Sequence, residues 1–297
     1  MKCNPASPFV SVIIPVLDNQ EGLIACLEKM KKQSYGENRF EVVVIDNGSS
    51  PPVKLASKYP FRVTLNRCSK PGSYAARNYG VSVARGQVLA FTDSDCEPDC
   101  EWLKQGVAAL SRLHDMGYVV GGDVAFHEPL IRTGTALYQY ATGFQQRENI
   151  ERKYFTATAN MFCTKQQFCD VGAFNEHLFS CGDREWCWRA NLKGMSICYE
   201  PAAIVRTDPR SSLFSALTQA RRVAAGRNYL KSSELTHVGE KALTPHNSVI
   251  ESIAWIVSRH DLSRQEKLKV FFAASITKLA SLAERARLRL GGDAERR

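Results

Sequence analysis

Two aspartates, Asp93 and Asp95, stand one residue apart in the stretch FTDSDCEP, directly after the apolar run VLAF. Like charges this close repel each other, so the pair costs stability unless a cation neutralises it. Mg²⁺ and Mn²⁺ prefer oxygen ligands and commonly take one or two protein carboxylates together with diphosphate oxygens. An Asp-x-Asp pair also occurs in solvated loops that bind no metal. Its position after a buried strand favours a site for a metal and a nucleotide diphosphate.

The elements that must position these carboxylates alternate between apolar runs and segments with helical spacing. The predicted strands are 9–16, 40–50, 61–66 and 87–95. The predicted helices are 21–34, with Leu23, Leu27 and Met30 inward, and 72–86, with Ala75, Ala76, Tyr79 and Val83 inward and Gly86 at its end. Such units predict a mostly parallel α/β sheet with helices on both faces, whose ligands bind at the carboxyl ends of strands. Asp46 and the Asp93–Asp95 pair both fall at such ends.

The second half of the sequence is less regular. Residues 154–168 predict a strand that runs into a helix, 182–194 a helix closed by glycine, and 195–201 a strand. Beyond residue 210 the patterns are helical, over 213–230, 248–260 and 264–290. No internal repeat or low-complexity linker divides the chain.

Several stretches resemble, in order and spacing, the family-two inverting glycosyltransferases of the GT-A fold. They are VSVIIPVLDNQEGLIACLEKMKKQS, FEVVVIDNGSS, KPGSYAARNYGVSVARGQVLAFTDSD, ANMFCTKQQFCDVGAFNE and GDREWCWRANLKG, within residues 9 to 210. The resemblance implies a nucleotide-sugar-binding GT-A catalytic domain over 1–210 and a helical C-terminal extension over 211–297. It also implies a metal-dependent transfer of a sugar from a nucleotide diphosphate, with UDP as the expected nucleotide, to a hydroxyl group of a cell-surface or lipid-linked glycan.

The resemblance also implies roles for individual residues. Those expected at the nucleotide sugar are Pro15, Val16, Leu17, Glu21, Asp46, Arg77, Asp93 and Ser94, and Asp95 is expected to hold Mn²⁺ or Mg²⁺. Asp46 would bond the uracil or ribose, and an Asx turn before Gly48 is a compatible structural role. Arg77 resembles a helix arginine near the phosphates, with a solvated helix charge as the alternative.

The catalytic base is expected in CGDREW, residues 181–186. Family members usually carry Glu-Asp-x-Asp or Glu-Asp-x-Glu there, whereas this chain has Gly182, Asp183, Arg184 and Glu185. Asp183 keeps the position of the base, and Glu185 is the next catalytic candidate. Helix dipoles alone also favour carboxylates in a first turn. The nearby Trp186 and Trp188 are expected in the core, with stacking on an acceptor sugar as the alternative.

A second departure concerns the metal. Many relatives carry a histidine shortly after the strand that resembles YEPAAIV, where this chain has Arg206 and Thr207. Metal coordination then depends on Asp95 and diphosphate oxygens alone, or Asp208 takes part. This departure and Gly182 leave open a second hypothesis, a catalytically silent nucleotide-sugar-binding or scaffold protein of the same fold. A nucleotidyltransferase is disfavoured, because PVLDNQEG lacks the Gly-rich loop with Thr-Arg.

Composition limits the other classes of protein. With 297 residues, 44% of them apolar and 23% charged, the chain is typical of a folded globular protein. Ten scattered cysteines without a CxxC pair favour reduced thiols in a cytoplasmic protein over a secreted disulfide scaffold. We see no signal-peptide pattern, and no apolar stretch approaches the roughly 20 residues of a spanning helix. The basic residues are not interleaved with aromatic ones on a recognisable module, which disfavours nucleic-acid binding.

The formal net charge of +9 is concentrated near the C-terminus, where residues 264–297 hold nine Lys and Arg against four Asp and Glu, a net charge of +5. Residues 264–290 predict a basic amphipathic helix. Its apolar stripe comprises Leu268, Phe271, Phe272, Ile276, Leu279, Leu282, Ala283 and Ala286. One interpretation is peripheral contact with the anionic inner face of a membrane. The other is packing on the catalytic domain or on a second subunit in a homodimer.

Overall fold

The computed structural model describes residues 7–55, 58–113, 117–233, 235, 238 and 249–292. Their strands are β1 Val10–Val16, β2 Phe40–Asp46, β3 Arg62–Arg67, β4 Val88–Phe91, β5 Cys96–Pro98, β6 Tyr118–Phe126, β7 Met161–Thr164 and β8 Ser196–Thr207. They form an eight-stranded sheet in the order β3-β2-β1-β4-β7-β6-β8-β5. Strands β3, β2, β1 and β4 are parallel, as are β6 and β8, and the other neighbours are antiparallel. The sheet is therefore mixed, with its parallel half at the predicted site.

Helices cover both faces of this sheet. The helices are α1 Gln20–Met30, α2 Ser73–Val83, α3 Trp102–Arg112, α4 Gly134–Thr142, α5 Gln146–Lys153, α6 Lys165–Val171, α7 Gly182–Leu192, α8 Leu213–Ser232, α9 Val249–Ser258 and α10 Arg264–Arg289. Because successive strand residues face opposite ways, Val12 and Ile14 of β1 lie in one core with α1 and α3, and Ile13 lies in the other with α2, α6 and α7. Helix α10 packs on α8 and α4. No helix among those described combines the length and apolarity needed to span a bilayer.

The predicted elements of the first half are present with shifted ends. The helix predicted over 21–34 ends at Met30, and the strand predicted over 87–95 ends at Phe91. The prediction that Tyr79 and Val83 of α2 point inward is wrong, because they are 40% and 41% exposed. A Cβ on Gly80 would lie 2.6 Å from Cγ2 of Ile13, so α2 approaches β1 along the line of Gly80 and leaves those two side chains at the rim.

The elements of the second half are also recognisable. Of the strand predicted in 154–168, only Met161–Thr164 forms one, and the strand predicted over 195–201 continues to Thr207, where it pairs with both β6 and β5. Helix α7 ends before Gly194, whose φ of +81° favours glycine.

In the first half, the helix predicted over 72–86 ends earlier, at Val83. Gly86 is needed for a close approach instead, since a Cβ there would lie 2.4 Å from the backbone nitrogen of Ser11.

Candidate functional site

The carboxyl ends of β2, β1 and β4 form one edge of the sheet, where most of the predicted site residues lie. Val16, the last residue of β1, pairs in register with Asp46, the last residue of β2. The side-chain amide of Asn19 donates a hydrogen bond to Oγ of Ser94 over 3.3 Å, so the loop after β1 touches the loop that carries the two aspartates. The remaining predicted residues of this edge are Pro15 within β1, Leu17 exposed just beyond it, and Glu21 in the first turn of α1.

A tight turn fixes the carboxylate of Asp46. Its Oδ1 accepts a hydrogen bond from the backbone N–H of Ser49 over 2.8 Å, and Gly48, with a φ of +96°, permits the turn. The Asx turn expected from the sequence is therefore present. Burial raises the pKa of Asp46, but hydrogen bonds from Ser49 and Val53 and the charge of Arg67 outweigh it and leave the pKa below its ordinary value. Asp46 is thus an ionised acceptor held at the strand end.

Arg77 is buried in α2 and forms an ion pair with Asp93. Its side chain is only 4% exposed, so the interpretation of Arg77 as a solvated helix charge is wrong. Its Nε is also buried and has no hydrogen-bond acceptor in the described part of the chain. Since a buried guanidinium N–H without an acceptor is costly, Arg77 has donor capacity to offer an anionic ligand.

Asp93, Asp95 and Cys96 place one potential metal-ligating atom each within 4.8 Å of one another. Burial and the two adjacent carboxylates raise the pKa of the Cys96 thiol well above its ordinary value, so Cys96 remains a neutral thiol and a poor ligand for a hard cation. Burial and the charge of Asp93 also raise the pKa of Asp95, which Arg210 and Arg77 partly offset. The carboxylate of Asp95 next to that of Asp93 fits Mg²⁺ or Mn²⁺.

The structure places Arg206 and Thr207, the last two residues of β8, and Asp208 just beyond it outside this cluster. Arg206 forms an ion pair with Asp99, and Thr207 pairs with Cys96 across β8 and β5. Asp208 is exposed and is not a member of the cluster. Over the ranges that the structure describes, no other group of three His, Cys, Asp or Glu side chains offers such a site.

Asp183 stands in the first turn of α7 and is reached by Tyr74 of α2. The Tyr74 hydroxyl donates to Oδ1 of Asp183 over 3.3 Å, and the backbone N–H of Arg184 donates to the same oxygen over 2.8 Å. Burial raises the pKa of Asp183, although the hydrogen bond from Arg184 and the charge of Arg77 act in the opposite direction. A carboxylate with a raised pKa is a better proton acceptor, which suits a general base.

The ring of Tyr74 also explains why glycine precedes Asp183. A Cβ on Gly182 would lie 2.6 Å from Cε2 of Tyr74, so no larger residue fits without moving the ring. The glycine in place of the expected glutamate is therefore a packing consequence of Tyr74. Tyr74 thus fills the space that a side chain at residue 182 would need, and its hydroxyl donates a hydrogen bond to the Asp183 carboxylate.

Glu185 is not brought to this site. Residues two positions apart in an α-helix are separated by about 200° around its axis, so Glu185 faces away from Asp183. Its two carboxylate oxygens accept from Nε and Nη2 of Arg189 over 2.8 and 3.0 Å. Arg189 also donates to the carbonyls of Val171 and Ala173, which ties α7 to the end of α6. The contacts of Glu185 are thus structural.

We expect Glu185→Gln to lower the free energy of unfolding by about 1–3 kcal/mol, because Arg189 would lose half of a buried, charge-assisted pair. The turnover number should change far less than in an Asp183→Asn enzyme. Urea denaturation gives the first quantity and steady-state kinetics the second. A stable Glu185→Gln protein without activity would return Glu185 to the catalytic candidates.

Arginines near the carboxylates were missed by the sequence analysis. Arg210 follows β8, and its charge lowers the pKa of Asp95. Arg222 of α8 is close enough to Arg210 and Asp93 for their charges to act on its pKa. Nε of Arg222 is buried and has no acceptor within the described ranges. One signal was present in QARRVAAGR, because Gly226 lies inside a helical segment, where glycine is unfavourable. A Cβ there would lie 2.5 Å from the carbonyl oxygen of Ser180 in the loop before α7.

The two tryptophans of α7 are fully buried. The indole N–H of Trp186 donates to the carbonyl of Gly172 over 2.8 Å, and that of Trp188 donates to the carbonyl of Lys153 over 3.0 Å. The prediction that they belong to the core is confirmed, and stacking on an acceptor sugar is excluded for both.

Sequence comparison finds glycosyltransferases. The sequence profile described as Glycosyl transferase family 2 matches residues 11–173. The glycosyltransferase AglE of Haloferax volcanii is 38% identical over 198 residues, which are 65% of this chain and 64% of AglE. The pre-mycofactocin glycosyltransferase of Mycobacterium tuberculosis is 27% identical over 220 residues, 70% of this chain and 44% of that protein. The matches therefore span less than two thirds of the length of either relative.

Solved structures share the fold. The mannosyltransferase PcManGT of Pyrobaculum calidifontis, in complex with GDP-Man and Mn²⁺, superposes with a TM-score of 0.63 at 15% identity, over 97% of this chain and 89% of that one. TarS of S. aureus (residues 1–349), in complex with UDP-GlcNAc, gives 0.51 at 16% identity, over 97% and 93%. Likeness at such low identity shows the fold alone, and it confirms the GT-A fold expected from the sequence.

Proposed function

This chain belongs to glycosyl transferase family 2, and on that premise we propose that it moves a sugar from a UDP donor to a hydroxyl group of a cell-surface or lipid-linked glycan, with inversion at the anomeric carbon. The observation that carries the proposal is the position of Arg77. This buried guanidinium forms an ion pair with Asp93, and its charge also lowers the pKa of Asp183. The residues proposed for the leaving group and for the base are thus linked through one side chain.

On the donor side, the loops after β1, β2 and β4 would hold the nucleotide. Asp46, ionised and fixed by its turn, is the proposed acceptor for hydrogen bonds from the uracil or ribose. The diphosphate would lie beside Asp95, where Arg77, Arg210 and Arg222 offer positive charge, and where Nε of Arg77 and of Arg222 lacks an acceptor among the described residues. The catalytic domain is proposed to span 1–210 and the helical extension 211–297, with Arg222 contributed by the extension.

The carboxylates of Asp95 and Asp93 are the residues that would hold Mn²⁺ or Mg²⁺. When bound, such an ion supplies charge stabilisation for the departing diphosphate. Asp93 also accepts from Arg77, so this carboxylate would be shared between the arginine and the cation. The chain itself orients the diphosphate through the arginines around that pair.

On the acceptor side, Asp183 is the proposed base. The acceptor O–H bond breaks and its proton passes to the carboxylate of Asp183, while the oxygen forms a bond to the anomeric carbon. The bond from that carbon to the diphosphate oxygen breaks on the opposite side, so the configuration inverts. Tyr74 holds the Asp183 carboxylate in one orientation through its hydroxyl. The raised pKa of Asp183 favours its role as proton acceptor.

Donor hydrolysis separates a transferase from a silent binding protein. Incubation with UDP-sugars and Mn²⁺, in the absence of an acceptor, should release UDP from one of them, because water can replace the hydroxyl group at a slow rate. Release should stop when EDTA is added. A protein that binds a UDP-sugar tightly and never releases UDP, with or without candidate glycans, would instead support the silent nucleotide-sugar-binding alternative.

Helix α10 presents an apolar face that is open to solvent. Its contacts with the rest of the chain use Val270 and Ala273, which are buried. The exposed side chains are Leu268, Phe271, Phe272, Ile276, Leu279 and Leu282, between 38% and 64% exposed. The interpretation that this stripe packs on the catalytic domain of the same chain is therefore wrong.

We propose that this face of α10 lies on an anionic membrane surface. The exposed Lys269 and Lys278 and the half-buried Arg285 belong to the same helix. Each basic residue near an anionic bilayer is worth about 1 kcal/mol, and the leucine and phenylalanine side chains add apolar burial. A membrane position would suit an enzyme with a lipid-linked acceptor. A second copy of the chain is the competing occupant.

In liposome flotation, the wild-type protein should float with anionic vesicles at low salt and be released at high salt. The double substitution Phe272→Ser and Leu279→Ser should prevent flotation without unfolding the protein, since both side chains are already more than half exposed. Leu192→Ser, at a residue of α7 that is 61% exposed, is the matched control and should float normally. If the double variant floats as well as the wild type, this face does not contact the membrane. If the wild type forms a dimer and never floats, the face contacts a second copy of the chain.

A further inference from the structure

Arg184, the residue that follows Asp183, is a buried cation that forms no ion pair with another residue of the described ranges. The residue is 5% exposed, and its guanidinium carbon lies 4.1 Å from the centre of the Phe155 ring. Its Nε is buried and has no hydrogen-bond acceptor among the described residues. A guanidinium in such surroundings is expensive unless an anion satisfies it.

A second arginine, Arg227, follows Gly226 in the part of α8 that packs against the loop before α7. Because Gly226 has no Cβ, α8 can approach the carbonyl of Ser180 closely. Sγ of Cys181 lies 3.9 Å from the carbonyl oxygen of Val223, also in α8. This contact brings Arg227 so near that its charge, with burial as the larger cause, lowers the pKa of Arg184. Arg227 is exposed and forms no ion pair among the described residues. Two like charges therefore flank a position beside the N-terminus of α7.

The carboxylate of Asp183 offsets the burial of Arg184 only in part, since the pKa of Arg184 stays below its ordinary value. Asp183 acts on the charge of Arg184, but its Oδ1 already accepts from Tyr74 and from the backbone of its own helix. Of the arginines near the acidic pair, Arg210 lowers the pKa of Asp95, and the charge of Asp93 raises the pKa of Arg222 against the larger effect of burial. The Arg184–Arg227 pair instead lies beside the proposed base, Asp183. It forms a cationic position distinct from the proposed place of the donor diphosphate.

We propose that Arg184 and Arg227 bind a phosphate group of the acceptor, next to the hydroxyl group that Asp183 deprotonates. Guanidinium groups bind phosphate oxygens through paired, charge-assisted hydrogen bonds, and a phosphate has enough oxygens for both arginines. The description of the ligand as an acceptor rests on the proposed function. The phosphate site itself rests only on the two arginines and their surroundings.

Equilibrium binding of two probes, glycerol 3-phosphate and dodecyl phosphate below its micelle concentration, tests the site without turnover. Both probes should bind the wild-type protein. Arg227→Gln and Arg184→Gln should each weaken binding about 10-fold or more, the effect of losing a charge-assisted hydrogen bond. Arg221→Gln is the matched control, since Arg221 is an exposed arginine of α8 whose charge acts on Glu284 instead. It should bind both probes like the wild type.

The two probes also identify the source of the phosphate. Tighter binding of dodecyl phosphate, lost in both variants, indicates a lipid-linked phosphate, whereas equal affinities indicate a phosphate on a soluble glycan. If Arg227→Gln, a substitution of an exposed residue, binds both probes as Arg221→Gln does, the proposal is wrong. UDP release is measured separately. Arginine-dependent phosphate binding without UDP release would overturn the proposed function alone, and UDP release without such binding would overturn this site alone.

Discussion

An Asp183→Asn enzyme should turn over about 10²- to 10⁴-fold more slowly than the wild type, which is the usual contribution of a positioned proton acceptor. The amide retains the size of the carboxylate and can still accept a hydrogen bond from Tyr74, but it cannot take the proton of the acceptor. Donor binding should change little, because Asp183 lies apart from the loops proposed to hold the nucleotide. Steady-state kinetics with a fixed donor, together with UDP binding by calorimetry, measures both quantities.

The pH dependence gives a second measurement of the same base. Asp183 works only as a carboxylate, and burial raises its pKa, so the turnover number should fall on the acid side, below a pKa higher than that of an ordinary aspartate. A Tyr74→Phe enzyme serves as the control for orientation, and its loss should be smaller than that of Asp183→Asn. An Asp183→Asn enzyme that keeps most of the wild-type rate would place the base elsewhere.

An Asp95→Asn protein should lose metal-dependent nucleotide binding. Even the outer partners of metal ligands are worth about 10- to 100-fold in affinity, so the loss of a ligating carboxylate should weaken UDP binding in the presence of Mn²⁺ by more than about 100-fold. The fold should persist, because the substitution removes one of two repelling charges. Calorimetric titration with UDP, in Mn²⁺ and in EDTA, measures the effect, and thermal unfolding checks the fold.

Asp208→Asn is the matched control for this experiment. It makes the same change from carboxylate to amide at an exposed residue outside the Asp93–Asp95–Cys96 cluster, and it also tests the alternative ligand suggested by the sequence. We expect Asp208→Asn to bind UDP like the wild type. Wild-type affinity for UDP that is unaffected by EDTA would contradict the metal site at Asp95.

The sequence alone determined the local elements of the donor edge. The apolar runs of β1, β2 and β4 and the turn residues after them are signals between near neighbours, so they placed Asp46 and Asp93 at strand ends correctly. The glycine-terminated segment of α7 likewise placed Asp183 in a first helical turn. Helix ends were less well predicted, because the last turn of α1 and of α2 depends on what packs against it.

Only the tertiary structure decided which side chains meet around these elements. Tyr74 and Asp183 are 109 residues apart in sequence, and their contact determines why residue 182 must be glycine. No local pattern distinguishes the buried Arg77 from a solvated helix charge, or shows that Glu185 is held by Arg189. Burial and ion pairing depend on the surfaces that long-range packing brings together, whereas helical and strand periodicity depends only on residues a few positions apart.

The same distinction applies to the C-terminal region. The spacing of apolar residues predicted that α10 is an amphipathic helix, because spacing fixes which side chains share a face. It did not determine which face packs inward. Val270 and Ala273 pack against the rest of the chain, and the broader stripe with Phe272 and Leu279 stays exposed. Gly134 lets α4 lie close to α10, since a Cβ there would lie 2.4 Å from the carbonyl oxygen of Lys269. That choice depends on the shape of the neighbouring helices, which no segment of α10 encodes by itself.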